Sequence, residues 1–208
     1  MGARIGVGLL GLGTVGGGVA EILLNPKDRH PLVAELDLIR VAVRDLNRPR
    51  SVELPDAVLT ADPNEVVNNP DVDVVVEVIG GIEPARSLIL QAIANGKSVV
   101  TANKAVIARH GPEIASAAKA AGVYVLIEAA VGGGIPIIEP LKQSLGGNRI
   151  NRVSGIINGT TNYILTRMAE EGAAYDAVLT DAQRLGYAEA DPAADVEGLD
   201  AADKIAIL

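Results

Sequence analysis

Up to about residue 131 the chain alternates short, nearly unbroken apolar runs with segments whose apolar residues return every three or four positions. The first pattern suits a strand buried on both faces and the second an amphipathic helix. "RIGVGLLG" reads as a strand and "GTVGGGVAEILL" as a turn running into a helix. "LDLIRVAVRD" is a second strand, and "DPNEVVNN" places Asp62 as a helix cap with Pro63 at the first helical position. "DVDVVVEVIGG" predicts a buried strand, followed by a helix in "EPARSLILQAIANG" that Gly96 closes. A strand in "KSVVTANK", a helix in "GPEIASAAKAAG" and a strand in "VYVLIEAAV" complete the series. This alternation predicts an α/β fold, a doubly wound parallel sheet covered on both faces.

The texture changes at Val131. "VGGGIPIIEP" is a glycine- and proline-rich hinge, followed by a helix around Leu141. "RVSGIINGTTNYILTRMAEEG" predicts strand, turn and helix, and the remainder predicts two helices around an acidic loop. Two domains are therefore expected: residues 1–130, and a smaller second unit over 131–208 too short to hold a complete core of its own. "DAADKIAIL" closes the chain as an apolar-periodic helix without a Gly or Pro terminator, and a fragment of a longer protein is expected.

The turn after the first strand carries G-x-G-x-x-G twice, as Gly6-Gly8-Gly11 and as Gly11-Gly13-Gly16. A dinucleotide fingerprint must follow a strand and open a helix, and only the second register does so. In the turn Gly11-Leu12-Gly13-Thr14-Val15-Gly16, Gly11 would make the tight bend and Gly13 would admit the pyrophosphate. Gly16 would let the helix pack on the strand, with its N-terminus facing the anion. Gly6 and Gly8 then fall inside the strand as packing positions. A glycine-rich turn without a ligand is the alternative. The second strand ends in Arg44-Asp45. Arg44 could stack on adenine and pair with a 2′-phosphate, which favours NADP over NAD; a solvated strand-end charge is the other reading. Thr101 and Lys104 in "TANK" stand at another carboxyl end of the sheet, within reach of a nicotinamide ribose or substrate. A lysine in a helix's first turn opposes the helix dipole, so a bound anion would account for Lys104.

Composition narrows the chemistry. The formal charge is −8 with scattered basic residues, which argues against a nucleic-acid partner. Without cysteine there is no disulfide, thiolate metal site or cysteine nucleophile, and two histidines, His30 and His110, are too few for a transition-metal cluster. No apolar run reaches the roughly 18 residues of a membrane span. The N-terminus shows no basic segment with an apolar core and cleavage site, so a cytoplasmic protein is expected. The densest chemical constellation is "GYAEADPAADVEGLDAADKIAIL". There Glu189, Asp191, Asp195, Glu197, Asp200 and Asp203 crowd around Lys204. Asp200 and Lys204 stand i, i+4 on one helix face. An amine paired with a carboxylate can pass a proton as a hydride moves; a surface ion pair is the plainer reading.

Five stretches, "GLGTVGGGV", "TANKAVIA", "EAAVGGGIPII", "GIINGTTNYIL" and "LGYAEADPAADVEGLDAADKIAIL", resemble homoserine dehydrogenases in order and spacing across nearly the whole chain. The last is the most specific, with Gly186-Tyr187, Asp191-Pro192, Asp195, Gly198, Asp200 and Lys204 where the family signature has them. The resemblance implies a Rossmann-type nucleotide domain followed by an apparently truncated α+β substrate domain. It implies reversible NAD(P)-dependent interconversion of L-homoserine and L-aspartate 4-semialdehyde, on the route to threonine and methionine. By the same resemblance Lys204 is the acid/base group at the substrate oxygen, with Asp200 beside it. Glu189 holds the substrate ammonium, and Lys104 lies by the nicotinamide and substrate. Gly159, Thr160, Tyr187 and Asp195 belong to the substrate pocket, and Gly186 lies near the cofactor. A monovalent cation, usually sodium, takes the Glu128 carboxylate and the carbonyls of Val131, Gly133 and Ile135, a hard-oxygen set that glycines free to curl. Family members are commonly homodimers and continue well past the lysine. Aspartate-semialdehyde dehydrogenase, with a similar nucleotide domain, needs a cysteine thioester and is excluded. A non-catalytic NAD(P)-binding module or inactive fragment stays open as the alternative.

Overall fold

Side-chain alternation sorts the two faces of the sheet. In the computed structural model, which describes residues 4–208, β1 (Ile5–Leu10) sends Val7 and Leu9 to one face and Gly8 and Leu10 to the other. Five further strands join it: β2 (Leu36–Ala42), β3 (Leu59–Thr60), β4 (Val74–Glu77), β5 (Ser98–Thr101) and β6 (Val125–Leu126). All neighbours are parallel, in the order β3-β2-β1-β4-β5-β6. On the first face α1 (Thr14–Leu24) buries Ala20 against Leu9, Val41 and Val43. On the second lies α2 (Asn64–Val67), close enough that a Cβ on Gly8 would stand 2.5 Å from Val66. Also in this unit are α3 (Ala85–Ala94), which packs on β4 and β5, and α4 (Lys104–Ala121), which packs on α3. The sheet is doubly wound, as the alternation predicts. Strand order reverses between β1 and β4, so a crevice opens beyond their carboxyl ends.

The chain divides into two compact units, Met1–Gly134 and Ile135–Leu208. The second is helical: α5 (Gly159–Glu171), α6 (Tyr175–Arg184), α7 (Ala193–Val196) and α8 (Leu199–Ile207). Its core gathers Ile164, Val178, Ala182 and Ala188, with Tyr163, Met168, Leu179 and Val196 against them. Arg167 ties α5 to α6 through Asp181 at 2.7 Å, and its hydrogen bond holds the Asp181 carboxyl below its ordinary pKa. Among the described residues no helix is long and apolar enough to cross a membrane.

Several elements depart from expectation. The two-residue β3 is too short to carry a period and was not foreseen. Helix α4 starts at Lys104 rather than near Gly111, because Asn103 caps it by accepting from Val106 N–H at 3.3 Å, and it runs through Pro112. Asp62 accepts from Asn64 N–H at 2.9 Å, but the cap position of α2 falls on Pro63 rather than Asp62, and the helix lasts only four residues. The strand expected in "RVSGI" does not form: the segment has no ladder partner among the described residues, and extended backbone becomes a strand only when paired. The helix near Leu141 is a single π-type turn, Pro140–Ser144, and the acidic loop contains α7.

Candidate active site

The loop between β1 and α1 gives each of its three glycines a different reason. Gly11 takes a φ of +102°, and its N–H donates to the Ala42 carbonyl at 2.9 Å. A Cβ on Gly16 would stand 2.1 Å from the Gly11 carbonyl oxygen, so any side chain there would force the loop open. At Gly13 a Cβ would meet nothing within 4 Å. That position faces open space at the start of α1, whose first turn has neither a side-chain cap nor an acidic residue. An anion with several oxygens suits such an end. Gly6, by contrast, is strand packing: its Cβ would fall 1.8 Å from the Asp71 carbonyl oxygen. Thr14 and Val15 are exposed in the first turn of α1, and Leu12 packs at the edge of the core.

Beyond the loop lies a cleft of about 450 Å³ between the ends of β1, β2 and β4, walled by Gly11, Gly13, Val43 and Ile79. Its rim carries Arg44 and Asp45, both expected, and also Arg48 and Arg50, which the sequence reading missed. Arg50 curls the rim by donating to the carbonyls of Asp45, Leu46 and Arg48. A second hollow of about 250 Å³ shares Ala42, Val43, Arg44 and Ile79 and continues toward Pro63 and Leu88. An apolar floor with a cationic rim can take a planar base and an adjacent phosphate.

At the ends of β4 and β5 stands Glu77, fully buried and also missed. Its carboxylate accepts from Thr101 Oγ1 at 2.6 Å, Ile79 N–H at 3.0 Å and Asn103 Nδ2 at 3.4 Å. Asn103 donates again to the Gly81 carbonyl at 2.8 Å. Thr101 therefore directs its hydroxyl proton at Glu77 and accepts from Asn103 N–H at 3.0 Å. Together they shape the turn that places Lys104 at the first position of α4. A lone charged residue at a core-facing register of an apolar strand was the available signal for Glu77.

In the second unit Lys204 and Asp200 pair at 2.7 Å, one helical turn apart on α8. Their side chains are only 20% and 12% exposed, which separates them from an ordinary surface pair. Lys204 donates a second time, to the Ile157 carbonyl at 2.5 Å. Two of the three ammonium protons are thereby directed within the protein, leaving one direction for another acceptor. The Asp200 oxygen that accepts from Lys204 also accepts from Asn158 Nδ2 at 2.9 Å, and Asn158 donates to Asp195 at 2.7 Å. Asn158 was not foreseen, since Asn-Gly reads as a turn; an Asn immediately before a helical pattern is the cap signal that finds it.

The other expected residues fall around this cluster. Gly159 begins α5 with open space where a Cβ would be, and Thr160 is buried with its hydroxyl donating to the Tyr187 carbonyl at 2.7 Å. Tyr187 stacks on Tyr163 with ring centroids 4.8 Å apart, and its own ring is exposed. Gly186 ends α6 at a φ of +79°, and Glu189 is exposed. Glu128 lies in a short 3₁₀ turn, Val131 is buried, and Gly133 has a φ of +59°, ahead of exposed Ile135. Among the described residues no three His, Cys, Asp or Glu side chains group to hold a metal, so a cation in this stretch would depend on backbone carbonyls.

Two family models match the chain: "Homoserine dehydrogenase, NAD binding domain" over residues 11–128 and "Homoserine dehydrogenase" over 136–208. The homoserine dehydrogenase of Synechocystis sp. is 68% identical over 202 residues, 97% of this chain and 47% of that protein. That of Bacillus subtilis is 50% identical over 206 residues, covering 98% and 48%. The chain spans about half the length of these curated relatives. Among solved structures, a homoserine dehydrogenase from Thiobacillus denitrificans superposes with a TM-score of 0.85 at 52% identity, covering 97% of this chain and 47% of that one. A hyperthermophilic archaeal homoserine dehydrogenase in complex with NADPH superposes with a TM-score of 0.85 at 31% identity, covering 98% and 68%.

Proposed function

The chain belongs to the homoserine dehydrogenase family, and on that premise we propose that it interconverts L-homoserine and L-aspartate 4-semialdehyde with NADP, or NAD, as partner. The observation that carries the reading is the half-buried Lys204–Asp200 pair with one ammonium proton still to place. The nucleotide half of the reading rests on residues 1–130 and the substrate half on 131–208. Gly11 to Gly16, open at Gly13, would receive the pyrophosphate, Arg44 a 2′-phosphate, and Thr101 and Lys104 would lie along the nicotinamide end; Gly186 is assigned to the cofactor on the family resemblance alone.

When bound, the nicotinamide supplies or takes up the hydride at the substrate carbon. Lys204 gives its remaining proton to the aldehyde oxygen in reduction and takes it back from the alcohol in oxidation. Asp200 keeps the ammonium aimed. Glu189 and Asp195 offer carboxylates to the substrate ammonium, while Gly159, Thr160 and Tyr187 shape the pocket and Lys104 faces the substrate. The same proposal includes a homodimer in the cytoplasm, with neither nucleic acid nor membrane as partner. The test is loss of NADPH absorbance on adding aspartate semialdehyde to the complete gene product. Absence of turnover there leaves only the nucleotide-binding module.

Two narrower outcomes are expected. Arg44→Ala should weaken NADPH by about tenfold and NADH by less than about twofold, the loss of one charge-assisted phosphate contact. Equal losses would remove Arg44 from the 2′-phosphate. A sodium ion is proposed on Glu128 and the carbonyls of Val131, Gly133 and Ile135, a donor set of hard oxygens that fits a hard cation. Sodium should then raise the melting temperature of the unsubstituted protein and not that of Glu128→Ala; the same sodium response in both would count against the site.

A further inference from the structure

We propose that Asn158 is the positioning residue of the proton-transfer pair, a role resting on the reading of Lys204 and Asp200 as that pair. The residue is 8% exposed and the orientation of its side chain is set by chemistry. Oδ1 accepts from Thr161 N–H and Thr161 Oγ1, both at 2.8 Å. A backbone N–H can only donate, so the amide cannot be turned end for end. Both Nδ2 protons therefore point the other way, one to Asp195 of α7 at 2.7 Å and one to Asp200 of α8 at 2.9 Å.

Starting α5 requires only the oxygen, and serine or aspartate caps a helix about as well as asparagine. The amide NH₂ is what singles asparagine out, and both its protons serve carboxylates. One of those carboxylates shares its oxygen with Lys204. Asn158 thus anchors the atom on which the ammonium is aimed, and it gives two neighbouring acidic groups a common donor. Removing the NH₂ takes one donor from the Asp200 oxygen that Lys204 shares, and loosens the aim of the ammonium at that atom while its bond to the Ile157 carbonyl stays.

The test uses Asn158→Ser and Asn158→Asp in the complete gene product, both of which keep the cap. Ser should lower kcat about tenfold and Asp about a hundredfold, since the second turns a shared donor into a third carboxylate. The dissociation constant for NADPH, read by nucleotide fluorescence, should stay within about twofold in both, because the bonds that Asn158 makes go to Thr161, Asp195 and Asp200 and not to the nucleotide loop. In an Asp200→Ala background, adding Asn158→Ser should cost less than about threefold, because the carboxylate through which it reaches Lys204 is already gone and only the Asp195 contact remains. Unchanged kcat in both single variants, or fully additive losses in the double variant, would overturn the role. If Asn158→Asp does not fold, Asn158→Ser and the Asp200→Ala cycle still decide. An inactive Lys204→Ala beside silent Asn158 variants strikes only Asn158, whereas an active Lys204→Ala strikes the pair itself.

Discussion

Replacing Lys204 by alanine is expected to lower kcat for aspartate semialdehyde reduction by about a thousandfold, the scale of a general acid, with NADPH affinity changed less than about twofold. Alanine removes the amine that donates to Asp200, while Asn158 still donates to both Asp200 and Asp195. The Ile157 carbonyl also loses its lysine donor. The loss should fall on kcat rather than KM, because the proton is transferred in the transition state. Lys204→Arg should recover little: a guanidinium does not give up its proton, and its planar fork does not reproduce the two contacts. Steady-state kinetics on the complete gene product decides, and a variant with undiminished turnover would sink the mechanism.

The second large effect belongs to the other unit. Gly16→Ala is expected to destabilise the protein by about 3 kcal/mol and to weaken NADPH by about a hundredfold. The added carbon would sit 2.1 Å from the Gly11 carbonyl oxygen and 2.9 Å from its carbon, both rigid backbone atoms. The loop can make room only by moving Gly11, whose N–H is bonded to the Ala42 carbonyl, and the neighbouring loop amides move with it. Gly18→Ala is the matched control. It lies inside α1 with nothing within 4 Å, and should add roughly 0.5–1 kcal/mol by lowering the entropy of the unfolded chain. Calorimetry and nucleotide titration on the two variants separate steric cost from helix propensity; equal melting points would refute the close approach.

What could be read from the sequence follows from the range of each signal. The order of strands and helices in the first unit was legible because periods of two and 3.6 residues are local. "RVSGI" shows where that stops: alternation predicts extended backbone, while pairing depends on another segment. Helix α4 shows the converse, since "TANK" looks like the end of a strand and only the Asn103 cap reveals the turn. At the candidate site the i, i+4 spacing of Asp200 and Lys204 was visible. Their shelter was not, because the second acceptor of Lys204 is a carbonyl 47 residues upstream. The rim arginines Arg48 and Arg50 stayed hidden for a related reason: a loop folding on its own carbonyls leaves no periodic trace.

The uncapped start of α1 ties occupancy to integrity. Among the described residues no side-chain cap closes that helix end, so whatever ligand does so becomes part of the folded unit's hydrogen-bonding. Fraying of α1 and release of the ligand are then two views of one equilibrium, and the free energy of unfolding grows with the logarithm of free ligand above its dissociation constant. Wherever that ligand is scarce, the chains first exposed to proteolysis would be the empty ones, so occupancy of one loop would set the lifetime of the whole unit.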